Sequence, residues 1–282
     1  MPDLSIIIVS YNARADLERC LASLANPPPA ISNEIVVVDN LSTDGSAEAA
    51  RRWPRVRVIE SGANRGFAAA NNIGIRATTS DLVLLLNSDT IVPPGAIDGL
   101  ARQIWSHADT AVVGPRLIDG DGHPELSFGS MVSPFAEWRQ KRLVRGVERR
   151  DPAAMRRVGE MTSRQQSADW VSGACLLVRR QDAEDVGLLD ERYFMYLEDV
   201  DFCAAIRARG RRVLFAPSVD VVHVRGRSAA SVPAATEAAY RSSQLAFYQK
   251  HHPALAPLLR LYLSLRGVTP SVPNPESRTP SP

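Results

Sequence analysis

The chain has 282 residues, 45% of them apolar, and a formal net charge of +2. That length suits one large domain, or a domain with an extension, built on a sizeable core. The near-neutral balance argues against nucleic acid as a partner, and three cysteines without a CxxC pair argue against a zinc site or a disulfide framework.

The opening residues, MPDLSIIIVSYN, lack a basic segment before their short apolar run, so no signal peptide is expected. LSIIIVS (4–10) and EIVVVDN (34–40) are continuous β-branched runs, the mark of strands buried on both faces of a parallel sheet. Between them Leu17, Cys20, Leu21 and Leu24 fall at helical spacing, and Pro27, Pro28 and Pro29 end that helix. A second helix is expected after Ser42 or Thr43 as N-cap, a third strand at 56–61, a helix over 66–78, and a fourth buried strand at 81–89. The alternation β-α-β-α-β-α-β predicts a mostly parallel sheet with helices on both faces. Pro94 is placed near the first turn of the next helix. Further on, the sequence predicts a strand and a turn at DGDG (119–122), then a polar, basic stretch over 136–166 that is mostly helical or disordered. Strands follow at 170–180, in RRVLFAP and in VDVVHVRG, then a helix over 234–250 and a Pro- and Ser-rich disordered tail from 267. Cys20, Cys175 and Cys203 each sit in an apolar pattern and are expected as buried small hydrophobes, which fits a reducing cytosol.

In such a sheet ligands bind beyond the carboxyl ends of the strands. Asp39 and Asp89 sit at two of those ends. A third acidic group, Glu198, Asp199 and Asp201, begins a helix directly after Tyr193, Phe194, Met195 and Tyr196. Acids suit a helix start, but three of them against so much apolar surface need a partner or a function. Asn87-Ser88-Asp89 offers oxygens around a bend, which suits either one hard divalent cation or a capping turn. His223 reads equally as a satisfied core residue or as a further ligand. Arg65 and Gly66 open a helix whose N-terminus suits a phosphate. Neither GxGxxG nor GxxxxGK[ST] occurs, which argues against a Rossmann dehydrogenase and a P-loop NTPase.

Together SIIIVSYN, EIVVVDNLSTDGS, NRGFAAANNIGI, LLLNSDT and ERYFMYLEDVDFCAAIRARG closely resemble the family-2 inverting glycosyltransferases of the GT-A fold, nearest to their rhamnosyltransferase-type branch. The resemblance covers residues 3–250. It implies an α/β fold with a nucleotide-sugar-binding half (1–115) and an acceptor half (116–252). A nucleotide-diphosphate sugar, dTDP-L-rhamnose in that branch or else another dTDP- or UDP-sugar, would be the donor, with a divalent cation, Mg²⁺ or Mn²⁺. The acceptor would be a polyprenyl-diphosphate-linked saccharide of cell-surface glycan assembly. Ser10, Tyr11 and Asn12 would line the nucleotide pocket, Asp39 would bind the base with Asn40 nearby, and Arg65 and Gly66 would lie near the nucleotide or its phosphates. Asn87, Ser88 and Asp89 would stand for the metal motif, with Asp89 as ligand and His223 completing the site. Asp199 would be the catalytic base, with Glu198 beside it and Asp201 as the second choice, and the preceding aromatics would wall the sugar.

Two rivals remain at this level: a nucleotidyltransferase, which would want a Gly- and Lys-rich loop after the first strand, and a non-catalytic sugar-nucleotide-binding module. Residues 253–266 form a separate C-terminal amphipathic helix, ahead of the tail at 267–282. Leu255, Leu258, Leu259 and Tyr262 recur at helical spacing beside Arg260 and Arg266, too short to span a bilayer but suited to its interface. With the basic stretch 139–157, this predicts either a cytoplasmic protein in peripheral contact with the inner membrane face, or a helix packed on the catalytic domain beside a merely solvated basic stretch.

Overall fold

The computed structural model describes residues 2–224 and 233–266. Its frame is a nine-stranded sheet. β1 (Leu4–Ser10) lies between β2 (Asn33–Asp39) and β4 (Leu82–Asn87), parallel to both, and β3 (Val56–Glu60) forms the edge beyond β2. The β-branched runs explain this placement, because successive side chains alternate between faces and both faces are covered. Ile7, Val36, Val38, Val83 and Leu85 point into one core, under α3 (Phe67–Arg76) and α8 (Glu198–Ala208). Ile6, Ile8, Val37, Leu84 and Leu86 point into the other, where Leu17, Cys20, Leu21 and Leu24 of α1 (Arg14–Ala25) meet Ile97, Leu100 and Ile104 of α4 (Ala96–Trp105).

Several expectations are corrected. α2 (Ser46–Arg51) is capped by Gly45 at φ +82°, not by Ser42 or Thr43, whose polar groups instead bond Asn12. Pro94 lies before the cap of α4, which is Gly95 at φ +75°. The expected strand 170–180 breaks in two. β9 (Trp170–Val171) pairs with β7 (Phe128–Gly129) in a separate ribbon, while β10 (Cys175–Arg179) enters the main sheet antiparallel to β4 and to β6 (Thr110–Ile118). Conversely, RRVLFAP and VDVVH form one strand, β11 (Arg212–His223), parallel to β6 with a register shift between Ala216 and Asp220. β5 (Thr90–Ile91) and β8 (Gln166–Ser167) pair antiparallel with β11.

The basic stretch forms two helices, α5 (Pro134–Glu148) and α6 (Pro152–Met161). The Ser133 and Asp151 side chains accept from the backbone N–H groups of Ala136 and Ala154, and Pro follows each cap. After β10, α7 (Arg180–Asp185) leads toward the acidic loop. α9 (Pro233–His251) and α10 (Ala256–Leu265) complete the described chain. The tail expected from 267 lies outside the described residues. All three cysteines are free and buried, and burial pushes the Cys20 and Cys203 thiols up to about 12.

Candidate active site

The parallel ladder lines up three carboxyl ends: Ser10 pairs with Asp39, and Val9 with Asn87. β10 runs the other way, so its amino end, Cys175 beside Leu86, meets the same edge. The turn before it therefore delivers Gly173, whose N–H donates to Asp199 Oδ2 at 2.8 Å. Asp39, Ser10, Asn87 and Asp199 thus stand along one end of the parallel strands.

Two atoms at this edge ask for a ligand. Ser10 Oγ and Asp39 Oδ1 are buried and have no hydrogen-bond partner among the described residues. An unmet buried polar atom costs about 1–3 kcal/mol, so both point to donors and acceptors brought by a bound molecule. The other Asp39 oxygen accepts from the Ser42 N–H at 2.9 Å, which orients the carboxylate.

Neighbouring residues build the walls rather than offering free groups. Asn12, at φ +49°, accepts from the Thr43 N–H at 2.8 Å and stitches the 41–44 loop to β1. Asn40 is buried, and its amide bonds Asn64, Ser61 and the Arg65 N–H, so it shapes the loop before α3. Arg65 is exposed, with Nε held by the Ser61 carbonyl at 3.0 Å. Tyr11 is half-buried at the end of β1.

Gly66 is required by its backbone. It caps α3 at φ +83°, ψ 175°, a conformation open essentially to glycine alone. A Cβ there would lie 2.3 Å from the Phe194 carbonyl oxygen, the atom that accepts from the Phe67 N–H at 2.7 Å. This contact docks the acidic loop on α3. Gly66→Ala is therefore expected to destabilise the protein by about 3 kcal/mol and to undock that loop. Urea denaturation and proteolysis around 190–197 would measure both, and a variant of unchanged stability would remove this role.

Next to that contact Tyr196 and Leu197 both take positive φ, +71° and +67°. Such residues persist only where their surroundings hold them. Here Ser243 Oγ on α9 donates to the Met195 carbonyl at 2.8 Å, and Tyr196 packs edge-on to Tyr240. The strained turn delivers Glu198 and Asp199 side by side at the start of α8. Burial raises the pKa of both, and their mutual repulsion raises Glu198 further, well above the ordinary range. Asp199 is steadied by the N–H groups of Gly173 and Val200, each at 2.8 Å. Glu198 Oε2 is buried and unpartnered among the described residues.

A carboxyl whose folded pKa exceeds its unfolded one binds its proton more tightly when folded. It subtracts stability as pH rises from the ordinary carboxylate range through the raised value. Glu198→Gln is thus expected to stabilise the fold at neutral pH by about 1–3 kcal/mol, a few degrees in Tm, with the gain vanishing at acid pH. Differential scanning fluorimetry across pH would show it, and a lower Tm at neutral pH would refute it.

Asp201 faces elsewhere. Its carboxylate accepts from His251 Nε2 (2.6 Å), Lys250 Nζ (2.8 Å) and Tyr193 Oη (3.3 Å). It ties α8 to α9, a bonded setting that suits a positioning role better than proton abstraction. Tyr193 is fully buried in that cluster and cannot wall a sugar, which corrects the expectation for that aromatic.

β5 pairs Thr90 with His223, bringing the Asn87-Ser88-Asp89 bend against the end of β11. His223 Nε2 lies 3.3 Å from Asp89 Oδ1, and Nδ1 lies 3.3 Å from Glu125 Oε2. Burial alone would lower the imidazole pKa, but hydrogen bonds to Asp89 and Glu125 outweigh it and raise it to about 9. Two carboxylates around one imidazole form a site that wants a positive charge. Oxygen and imidazole donors of this kind fit Mn²⁺ or Mg²⁺. Asn87 contributes main-chain groups here: its N–H donates to Ala174 and its carbonyl accepts from Thr90 Oγ1. Ser88 is buried. A second group, Asp119, Asp121 and His123, has ligand atoms within 4.8 Å of one another in the turn after β6. There Asp119 Oδ1 accepts from the N–H groups of Asp121 and His123, the signature of a side-chain-capped turn.

Sequence reasoning passed over Gly173, Glu125 and His251. Gly173 and Glu125 reach the site only through strand pairing, and His251 lies on a helix with no motif of its own.

A mixed sheet with unmet polar atoms at its parallel strand ends, and with buried Glu198 and partly buried Asp199 at the same ends, is the arrangement expected of a transferase of the GT-A type. The chain belongs to glycosyl transferase family 2, whose family description matches residues 5–187. It is 35% identical over 296 residues to the N-acetylglucosaminyl-diphospho-decaprenol L-rhamnosyltransferase of Mycobacterium tuberculosis, across 94% of this chain and 91% of that protein. A low-salt glycan biosynthesis hexosyltransferase of Haloferax volcanii is 27% identical across 79% of this chain and 67% of its own length. Among solved structures, a Pyrobaculum calidifontis mannosyltransferase in complex with GDP-Man and Mn²⁺ superposes with a TM-score of 0.60 at 18% identity, covering 94% of this chain and 70% of that one. S. aureus TarS in complex with UDP gives 0.57 at 16% identity, over 84% and 64%. At such identities the likeness speaks for the fold, which is that of the GT-A glycosyltransferases. The protein is a glycosyltransferase.

Proposed function

We propose that the chain transfers L-rhamnose, with inversion, from dTDP-L-rhamnose to a polyprenyl-diphosphate-linked saccharide. The observation that carries it is the placement of Asp199 on the same sheet edge as Asp39 and Ser10. The mycobacterial relative, matched nearly end to end, supports the sugar and the lipid-linked acceptor. Residues 1–115 would hold the donor, with its base against Asp39 and Ser10, and residues 116–252 the acceptor. Asp199 would take the proton of the acceptor hydroxyl as its oxygen bonds the anomeric carbon and the bond to the diphosphate breaks. Glu198, next to Asp199, would contact the acceptor or the base. Asp89 and His223 would hold a divalent cation, which when bound neutralises charge on the departing diphosphate. Arg65 would add its own charge to that phosphate end.

A nucleotidyltransferase reading loses support because SYNARADL after β1 is neither Gly- nor Lys-rich. The test is a panel of nucleotide sugars, each with Mn²⁺, scored first by thermal shift and then by transfer to a lipid-linked N-acetylglucosamine acceptor. A bound ligand raises Tm by mass action. dTDP-rhamnose should give both the shift and the product. A different sugar nucleotide giving both would replace the donor, and stabilisation without transfer to any acceptor would favour a binding module.

A further inference from the structure

α5 and α10 each turn an apolar face outward. On α5, Phe135 (67% exposed), Trp138 (56%), Arg139, Arg142 and Arg145 recur at spacings of three, four and seven, so they share one stripe. Arg139 lies 5.7 Å over the Phe135 ring and Arg142 5.7 Å over Trp138. No acid falls on this stripe. Glu137, on the opposite side, is buried and accepts from Tyr240 (2.8 Å), Tyr248 (3.0 Å) and Gln244 (2.9 Å) of α9, which fixes the orientation of α5.

α10 repeats the arrangement. Ala256, Leu259 and Leu263 face inward, yet Leu258 (63%), Leu261 (58%), Tyr262 and Leu265 (80%) face out. The two helices lie close together. His252 Nε2 bonds the Val132 carbonyl at the entry to α5, and Lys141 of α5 stacks on the Tyr240 ring of α9. A groove of about 530 Å³ runs along α10, with Arg260 beside Leu261 in its wall.

We propose that the outer faces of α5 and α10 dock the protein on a bilayer surface of anionic lipid. The proposal rests on the lipid-linked acceptor reading, which needs the enzyme at a membrane. Arginine and aromatic residues on one helix face, with leucines on its neighbour, match the interface, where headgroup phosphates meet acyl chains. A second copy of the chain fits less well, because a two-fold contact would set the arginine stripes against each other with no acid between. The chain's own residues 267–282 supply no leucine, isoleucine or aromatic to cover the patch, and a single acid, Glu276. Among the described residues no helix is long and apolar enough to cross a membrane.

The test is flotation of the full chain with phosphatidylglycerol-containing vesicles and with phosphatidylcholine alone, at low and high salt. Binding is expected to the anionic vesicles only, and to weaken in salt. Arg139→Gln with Arg142→Gln should lower partitioning roughly 25-fold, from about fivefold per arginine. Leu258→Ser with Leu261→Ser should lower it comparably. Trp138 emission should shift to the blue on binding, a shift that Trp138→Phe removes. Turnover of an acceptor on a short, water-soluble lipid should not change in any of these variants, so a wrong acceptor assignment would leave the binding result standing. Absence of vesicle binding at low salt would overturn the proposal, as would binding that these variants leave intact. Concentration-dependent dimerisation lost in the same variants would assign the face to a second copy instead.

Discussion

Asp199→Asn is expected to cut turnover with acceptor by about 10²–10⁴-fold, the range contributed by a positioned base, while nucleotide affinity changes little. The separation follows from the site. Asp199 meets the edge through Gly173, beside Asn87, whereas the unmet atoms of Asp39 and Ser10 lie two and one strands further along. Asparagine keeps the size of the side chain and one oxygen for a backbone N–H, so the turn around Gly173 survives. What it loses is the capacity to accept a proton. The pH profile gives a second reading. Burial raises the Asp199 pKa above the ordinary carboxylate range, and a base acts unprotonated, so turnover should rise with pH through that raised value. The acid limb should vanish from whatever activity the variant retains. Calorimetry with the nucleoside diphosphate, alongside single-turnover kinetics, makes the comparison. Near wild-type turnover in Asp199→Asn together with a dead Asp201→Asn would move the base to Asp201. The bonds from His251 and Lys250 to Asp201 predict the opposite: Asp201→Asn should cost stability and loosen α9.

The parts of the fold that were legible are those where one residue's surroundings are set by local pattern. Ile6, Ile7 and Ile8 announce a strand covered on both sides, and Leu17, Cys20, Leu21 and Leu24 announce the helix that covers one of them. Strand direction has no such signature. CLLVR reads the same whether it runs with β4 or against it, yet its antiparallel course is what brings Gly173 to Asp199. RRVLFAP and VDVVH run on as one strand because Pro217, which would interrupt a ladder, sits at the register shift, where pairing is already broken. The site divides along the same line. Asp39 and Asp89 were visible as acids ending apolar runs. Glu125 was not, since only the pairing of β6, β5 and β11 places it against His223. The aromatic run before Glu198 was seen but partly misread. Tyr193 turns inward to Asp201, which Lys250 and His251 of α9 also bond, and the 50-residue separation of Asp201 and His251 hides that cluster from local pattern.

Asp89→Ala, or removal of divalent cations with EDTA, is expected to depress turnover at least about 10²-fold, since cation stabilisation of a leaving group is worth several kcal/mol and each 1.36 kcal/mol is tenfold. The apparent donor affinity should weaken at the same time. Both effects come from one geometric fact, that Asp89 and His223 face each other across β5 and β11 at 3.3 Å with Glu125 behind. The Asn87-Ser88-Asp89 bend offers a single carboxylate, so affinity for the ion should be modest and added Mn²⁺ should restore activity after EDTA. Glu125→Gln sharpens the test. Glu125 lies on the far ring nitrogen of His223, so its loss should weaken the ion's hold indirectly, by about 10–100-fold in metal affinity, with activity recovered at high Mn²⁺. Asp89→Ala, lacking the ligand itself, should not recover. Isothermal titration with Mn²⁺ and the nucleoside diphosphate, together with rates across a metal series, distinguishes the two. Full activity in EDTA would instead make Asn87-Ser88-Asp89 a capping turn, and would leave His223 as a cation between two carboxylates with only the fold to serve.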